Sequence, residues 1–146
     1  MKSLVKILEE SENNITLFLK QLETYQSNHY GMYDTSNLSN EFNKLPNNIK
    51  NFLKPNSVKN FYRGCDGLSF KNAISFTDNK SYANTFGTFT IPFSELKSYS
   101  GIISTNKIYI LCKKLKIKCN IGNDEGEIIV INPKWKNNIN LEEYRN

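Results

Sequence analysis

The sequence is poor in the residues that most often mark catalytic or metal sites. It has a single histidine, His29, which excludes most mechanisms that use an imidazole base. Its three cysteines include no Cys-x-x-Cys pair and have no companion histidines, so neither a zinc site nor a disulfide framework is indicated. No apolar run approaches the roughly 18 residues of a membrane-spanning helix. We therefore expect no metal and no membrane partner.

The length and charge are those of one modest domain. The chain has 146 residues, and 19 Lys and Arg outnumber 14 Asp and Glu to give a net charge of +5. A domain of this size buries roughly two thirds of its unfolded surface, so it needs no cross-links to fold. The positive charge favours an acidic partner or a phosphate-bearing ligand, although an ordinary basic protein has the same balance. Because Glu9 and Glu10 interrupt the N-terminus before any signal-peptide core, we expect a cytoplasmic protein.

The first 55 residues are predicted to be helical. From residue 3 to about 30, apolar residues recur at intervals of three and four, as on one face of an α-helix. The segment Ser11–Asn14 offers a new N-cap that splits this stretch. A shorter amphipathic helix is predicted from about Ser39 to Leu53, interrupted near Pro46 and ended by Pro55.

The residues from 56 onward are predicted to be rich in β-strand. The segment 115–121 alternates apolar and polar residues, which is typical of a strand with one buried face. A short helix is predicted between Asp78 and Gly87. The predicted strands are 58–63, 73–77, 88–91, 107–112, 115–121 and 127–131. Helices followed by strands indicate an α+β fold, with one domain over 1–146 that comprises a helical part, 1–55, and a β-rich part, 56–146.

Three short motifs have the residue types of a binding or catalytic site. The first is Tyr62-Arg63-Gly64, in which an arginine at the end of a strand is followed at once by a glycine. Such an arginine presents a planar guanidinium beside a backbone that a ligand can approach closely. This arrangement suits a phosphate or diphosphate held by two hydrogen bonds, although a strand-end arginine is more often only a surface charge.

The second motif, Ser75-Phe76-Thr77, lies on a predicted strand. Alternation places the hydroxyl groups of Ser75 and Thr77 on one face and Phe76 on the other. Inward-facing hydroxyls hydrogen-bond a neighbouring arginine or carboxylate and hold its rotamer. Phe76 of this strand and Phe86 of the predicted helix that follows are candidates to shield a ligand, or are plain core residues.

The third motif, Glu125-Gly126-Glu127, precedes an apolar strand. Its two carboxylates point the same way if the segment is extended, while Gly126 lets the backbone bend between them. Glu127 is held by the sheet, whereas Glu125 lies on the turn. A carboxylate at the start of a strand is able to orient a sugar hydroxyl and stabilise an oxocarbenium ion, although a solvated acidic turn has the same composition.

The order of these motifs resembles the arginine–serine–glutamate class of mono-ADP-ribosyltransferases, which have a toxin-like fold. The resemblance covers residues 58 to 131, about half of the chain, and small phage and bacterial effector enzymes of this fold look similar in size. It implies N-terminal helices packed on a split pair of β-sheets, with an NAD cleft between the sheets. Phe76 and Thr77 depart from the literal Ser-Thr-Ser triplet of the family. The histidine–tyrosine–glutamate pattern of the poly-ADP-ribosyl branch is not seen.

The resemblance also implies a role for each motif. Arg63 would contact the phosphates and the nicotinamide ribose of NAD, and Gly64 would border the nicotinamide. Ser75 would brace the site, and Glu127 would hydrogen-bond the ribose 2′-hydroxyl. In that family, a glutamate two residues before the catalytic one, here Glu125, usually accompanies transfer to arginine side chains. The implied activity is therefore mono-ADP-ribosyl transfer from NAD, as co-substrate, to a macromolecular acceptor, with an arginine side chain of a protein as the favoured group.

The chemistry also fits the residues without the family. Breaking the nicotinamide–ribose bond expels a neutral leaving group, so an acid catalyst and an active-site histidine are not required. The reaction needs a grip on the diphosphate, an orienting carboxylate and a shielded pocket. Arg63, Glu127 and the rings of Phe76 and Phe86 are the candidates for these tasks, and Thr77 belongs to the same NAD-binding segment. Glu125 would align or deprotonate the incoming nucleophile.

A second interpretation is a non-catalytic, basic, β-rich module that binds nucleic acid. In it, Trp135 or Tyr109 stacks on a base while lysines follow the phosphate backbone: Lys113, Lys114, Lys116, Lys118, Lys134 and Lys136. The same lysines are typical of a solvated strand face that blunts edge-to-edge pairing. The two interpretations are compatible, because a transferase is able to dock an acidic protein or a nucleic acid through this face.

A third interpretation is a degenerate transferase scaffold that only binds a partner. The intact Arg63, Ser75 and Glu127 weigh against it.

Overall fold

The computed structural model describes residues 3, 6, 9–27, 36–55, 60–63, 73–77, 89–92, 101–122 and 126–131. Its helices are α1 (Glu12–Ser27), α2 (Ser36–Asn43), α3 (Asn47–Phe52) and α4 (Thr105–Leu115). Its strands are β1 (Asn60–Arg63), β2 (Ala73–Thr77), β3 (Phe89–Pro92), β4 (Gly101–Ser104) and β5 (Glu127–Ile131). The chain therefore has an α+β fold.

Helix α1 follows the predicted periodicity. Ile15, Phe18, Leu22 and Tyr25 are completely buried, and their three- and four-residue spacing places them on one face of the helix. The break that was predicted near Ser11 is confirmed, because Ser11 forms a turn and its carbonyl accepts a 2.9 Å hydrogen bond from the Ile15 amide.

The interruption near Pro46 is also confirmed. Pro46 adopts an extended conformation as the N-cap of α3, and its carbonyl accepts hydrogen bonds of 3.0 Å from the amides of Ile49 and Lys50. The proline thus ends one helix and starts another, since its ring fixes φ near the helical value and it has no amide hydrogen to donate. Helix α2 begins at Ser36, earlier than the predicted start at Ser39.

The described strands form one five-stranded antiparallel sheet in the order β3-β1-β2-β5-β4. Strands β2 and β5 have the predicted bounds, and β3 is displaced by one residue from its prediction. The register places Tyr62 opposite Thr77, Thr77 opposite Glu127, and Ser75 opposite Ile129. The described strands belong to a single sheet and do not show a second one. The split pair of sheets therefore stays a prediction.

The helices cover one face of this sheet. Ile103, Ile129 and Ile131 from that face share a hydrophobic core with buried residues of all four helices. The backbone of Gly101 comes so close to the Phe42 ring that an added Cβ would lie 2.6 Å from a ring carbon. Residues of the opposite face of β2, β4 and β5 are buried as well: Phe76, Ile102, Ile128 and Val130.

Two strand predictions are wrong. Residues 107–112 belong to helix α4, and residues 117–121 have no regular secondary structure. Helix α4 buries Thr105, Ile108, Leu111 and Cys112, and this spacing of three and four residues is typical of a helix and not of a strand. The strand β4, just before α4, was not predicted, because four residues are too few to show a period.

A helix cap, and not a strand, follows α4, although residues 116–121 do alternate between exposed and covered as predicted. Lys116 has a left-handed φ of 56°, its amide donates to the Lys113 carbonyl, and the Ile117 amide donates to the Cys112 carbonyl. This pair of hydrogen bonds is the Schellman motif, which ends a helix and turns the chain away from its axis. The lysines of this segment therefore do not line one face of a strand.

Within the part of the chain that the structure describes, no helix is both long and apolar enough to cross a membrane. The division into a helical part, 1–55, and a β-rich part, 56–146, stays a prediction. Helix α4 lies inside the second part.

Candidate functional site

The strands that carry the three motifs are neighbours in the sheet. Strand β2, with Ser75 and Thr77, lies between β1, which ends at Arg63, and β5, which begins at Glu127. Directly opposed residues of antiparallel strands have Cβ atoms roughly 4.5–5.5 Å apart. The sheet therefore brings together segments that are far apart in the sequence, with Thr77 between the start of β5 and the end of β1.

Glu127 is a buried acid whose backbone and side chain are both held. It is 7% exposed. Its carbonyl accepts a 2.9 Å hydrogen bond from the hydroxyl of Thr105, the first residue of α4, and its carboxylate accepts a 2.6 Å hydrogen bond from the side-chain amide of Gln26. Hydrogen bonds to a charged carboxylate are stronger than those between neutral groups, so this contact fixes the position of the Glu127 side chain.

The glycine before Glu127 has the bend that was predicted. Gly126 has a φ of 68°, in the left-handed region that glycine adopts without a steric penalty. The segment is therefore not extended at this point, and strand alternation does not relate Glu125 to Glu127. Glu125 itself lies outside the described residues.

Ser75 faces the helix layer. Its hydroxyl shares a 2.8 Å hydrogen bond with the hydroxyl of Tyr25, which is completely buried in α1. Thr77 is 6% exposed and lies two residues further along the same face of β2. The predicted face with two hydroxyls is therefore present, and it borders Glu127.

Phe76 is separated from these hydroxyls. It pairs with Ile128, is 3% exposed, and lies on the opposite face of the sheet from Ser75 and Thr77, as alternation predicted. Since Glu127 pairs with Thr77, the Phe76 ring and the Glu127 carboxylate belong to different faces. The structure thus joins Ser75, Thr77 and Glu127 but not Phe76.

The remaining predicted site residues are described in part or not at all. Arg63 is the last residue of β1, and its backbone pairs with Phe89 of β3. The Arg63 side chain lies outside the described part of the structure. Gly64 and Phe86 also lie outside the described residues.

Two residues of this site, both on α1, were not predicted from the sequence. The sequence did contain a signal for Tyr25, because this residue continues the apolar face of Phe18 and Leu22, and a buried tyrosine hydroxyl usually has a hydrogen-bond partner. Gln26 had none. It is a half-buried polar residue near the end of a helix, and it contacts a residue 101 positions away.

The described cysteines belong to the core and not to this site. Burial, the charge of Cys119 and a hydrogen bond with Cys119 together raise the pKa of the Cys112 thiol to about 12, so this thiol remains protonated at neutral pH. Among the described residues, no three or more His, Cys, Asp or Glu side chains are grouped closely enough to hold a metal ion.

An open groove of about 280 Å³ lies on another side of α1. It is formed by α1 and the segment 117–121, with Lys20, Glu23 and Lys118 among its polar residues. None of the predicted site residues lines it.

Four lysines of the second interpretation lie at the end of a helix and not on a strand, whereas Lys134, Trp135 and Lys136 lie outside the described residues. Lys113 and Lys114 are exposed on the last turn of α4, and Lys116 and Lys118 are exposed just beyond its cap. They form a basic surface at the end of a helix, where positive charge is also favoured by the helix dipole.

Comparison of the chain with protein-family models, with curated proteins and with solved structures finds no match.

Proposed function

We propose that this protein is an NAD-dependent mono-ADP-ribosyltransferase that transfers ADP-ribose to a macromolecular acceptor, with an arginine side chain of a protein as the favoured group. The single observation that carries the proposal is the placement of β2 between β1 and β5. This order makes neighbours of the strands that carry Arg63, Ser75 and Glu127, and the residue of β1 that pairs with Thr77 is Tyr62, next to Arg63. The resemblance requires these segments to meet, but the sequence alone does not give the strand order that brings them together.

The state of Glu127 supports the catalytic role. It is buried at the start of a central strand, and Gln26 and Thr105 hold its carboxylate and its backbone. An electrostatic catalyst must be oriented before the reaction, because reorganisation during the reaction costs rate. A solvated acidic turn, which was the alternative for this motif, would leave the carboxylate exposed and mobile.

The proposed reaction has one bond breaking and one forming at the ribose C1′ atom. The bond from C1′ to the nicotinamide nitrogen breaks, and its electron pair leaves with nicotinamide as a neutral molecule. Glu127 hydrogen-bonds the ribose 2′-hydroxyl and stabilises the positive charge that develops on the sugar ring. Arg63 binds the diphosphate. A nitrogen of the acceptor guanidinium then bonds to C1′ and gives up a proton, for which Glu125 is the proposed base.

The test is nicotinamide release from NAD by the purified protein, followed by transfer of label from adenylate-labelled NAD to agmatine, a small guanidine. We expect Glu127→Gln to lower the rate about 100- to 1000-fold, as loss of one electrostatic contact to a transition state typically does. Glu41→Gln is the matched control, because Glu41 of α2 makes a 3.2 Å ion pair with Lys44, just beyond that helix, and lies outside the site. Equal rates for the wild type and Glu127→Gln would refute the proposal. If Glu127→Gln lowers the rate as expected, mass spectrometry of a lysate treated with the wild type would identify the natural acceptor.

The nucleic-acid-binding module remains the second candidate because of the basic surface formed by Lys113, Lys114, Lys116 and Lys118. Salt-sensitive binding of RNA or DNA that is indifferent to Glu127→Gln and Arg63→Ala would favour it over the enzyme. Retained nicotinamide release with no such binding would exclude it.

A further inference from the structure

We infer that Gln26 is a positioning residue, which holds the Glu127 carboxylate in the orientation that the ribose requires. The inference rests on the proposed function, since it assigns helix α1 a task in that same site. It concerns a helical region for which the sequence left two roles open, selection of the target or coverage of one sheet.

The Gln26 side-chain amide makes three hydrogen bonds, two to the backbone of Gly122 and one to Glu127 at the start of β5. Its Nε2 atom donates to the Glu127 carboxylate at 2.6 Å and to the Gly122 carbonyl at 2.8 Å. Its Oε1 atom accepts from the Gly122 amide at 2.8 Å. The side chain thus pairs with both polar groups of one residue, as a neighbouring strand would, and at the same time binds the acid.

These contacts allow only one orientation of the Gln26 amide. The Gly122 amide needs an acceptor, whereas the Gly122 carbonyl and the Glu127 carboxylate both need donors. A flipped amide would bring donor against donor at one contact and acceptor against acceptor at the other two. The Gly122 backbone therefore fixes which atom of Gln26 faces Glu127.

Glu127 is bound by Gln26 at its carboxylate, in addition to the contacts of its backbone. Its backbone is held by pairing with Thr77 and by the hydroxyl of Thr105, but neither contact determines the rotation of the carboxyl group. Gln26 supplies that contact from a separate, rigid element. The residue before it, Tyr25, is buried and hydrogen-bonds Ser75. Two consecutive residues of α1 therefore contact two residues of the proposed site.

The experiment compares nicotinamide release by the wild type, Gln26→Met and Gln26→Glu. Methionine and glutamate match glutamine in length and in helix propensity, so α1 is retained. Methionine removes all three hydrogen bonds. Glutamate still accepts from the Gly122 amide but places a second negative charge beside Glu127. Ser27→Ala is the matched control, because the exposed Ser27 hydroxyl donates to the Glu23 carbonyl within the helix, at 2.8 Å.

We expect Gln26→Met to lower kcat about 10- to 100-fold, the usual consequence of a reacting group displaced by about 1 Å, while KM for NAD stays within about threefold. The loss should be at least as large for Gln26→Glu, and Ser27→Ala should match the wild type. A merely structural role would instead lower the thermal unfolding midpoint and change the amount of active enzyme, leaving the kcat per active molecule unaltered.

Two results would overturn the inference, and they are distinguishable. If Glu127→Gln abolishes nicotinamide release while Gln26→Met and Gln26→Glu leave kcat unchanged, the proposed function stands and the role of Gln26 is refuted. If the folded wild type releases no nicotinamide, the proposed function fails and the role of Gln26 fails with it.

Discussion

The two ends of the sheet differ in how they are buried. At one end, every residue of β4 and β5 is buried, although β4 is the last strand in the sheet order. At the other end, the side chains of Tyr62 on β1 and Thr90 on β3 are only half-buried. Glu127 belongs to the first end and Arg63 to the second. A proposed catalytic acid is thus built into the core, while the strand of the proposed phosphate-binding arginine is nearer to solvent.

This difference suits the proposed chemistry. A carboxylate that acts on the transition state gains from a fixed position and a low local dielectric, because its interactions are stronger there than in water. A group that binds the diphosphate must instead be reached by a long, charged ligand. The contrast between the two ends is open to direct measurement by the three substitutions that follow.

The largest expected effect is on the free energy of unfolding of Ile129→Ala. Ile129 is completely buried in β5, so its truncation leaves a cavity and should cost about 2–5 kcal/mol. Thr90→Ala, at the other end of the sheet, should cost no more than about 1 kcal/mol. Urea denaturation measures both. Similar losses for the two variants would show that the ends of the sheet are equally packed.

A smaller loss is expected for Gly101→Ala in β4. The added methyl group would lie 2.6 Å from the Phe42 ring, and such crowding should lower the free energy of unfolding by about 1–3 kcal/mol. Gly122→Ala is the control, since its Cβ would lie 3.8 Å from its nearest neighbour, Gln26 Oε1. A double-mutant cycle with Phe42→Leu should recover part of the loss. No recovery would mean that the close approach to Phe42 is not its cause.

The smallest effect is expected for Thr105→Val, which removes the hydroxyl that donates to the Glu127 carbonyl. Valine has nearly the same shape, so the loss of this buried hydrogen bond should cost about 1 kcal/mol. Thr24→Val is matched to it, because the Thr24 hydroxyl bonds the Lys20 carbonyl at an exposed position. Equal melting temperatures for the two variants would show that the Thr105 contact adds nothing to the support of Glu127.

The fold was predictable where the hydrophobic period is long or unambiguous. Helix α1 has four buried residues at helical spacing, and β5 is a continuous apolar run, so both were recognised with nearly the observed bounds. The segment 101–121 was misassigned. Short runs of lysine and apolar residues fit both the helical and the strand period there. Helix α4 ends at Lys116 in the left-handed conformation, where a glycine is usual, so the sequence does not indicate the end of the helix.

The site was predictable to the extent that it depends on strand-borne residues. Ser75, Thr77 and Glu127 were identified from their motifs, and the sheet places them side by side. Gln26 was not identified, because its role depends on Gly122 and Glu127, which come near it only in the folded chain. A polar residue on a helix has no sequence signature for a partner about one hundred positions away.

The sequence by itself determined which segments become helix α1 and strands β2 and β5, because burial of an apolar face imposes a period that is visible locally. It also indicated Ser75, Thr77 and Glu127 as candidate site residues, because their hydroxyl and carboxylate groups are visible in the sequence. The tertiary structure alone decided the strand order, and with it the meeting of β1, β2 and β5. It alone placed an amide of α1 on the acid of β5, since hydrogen bonds between distant segments exist only once the chain has closed on itself.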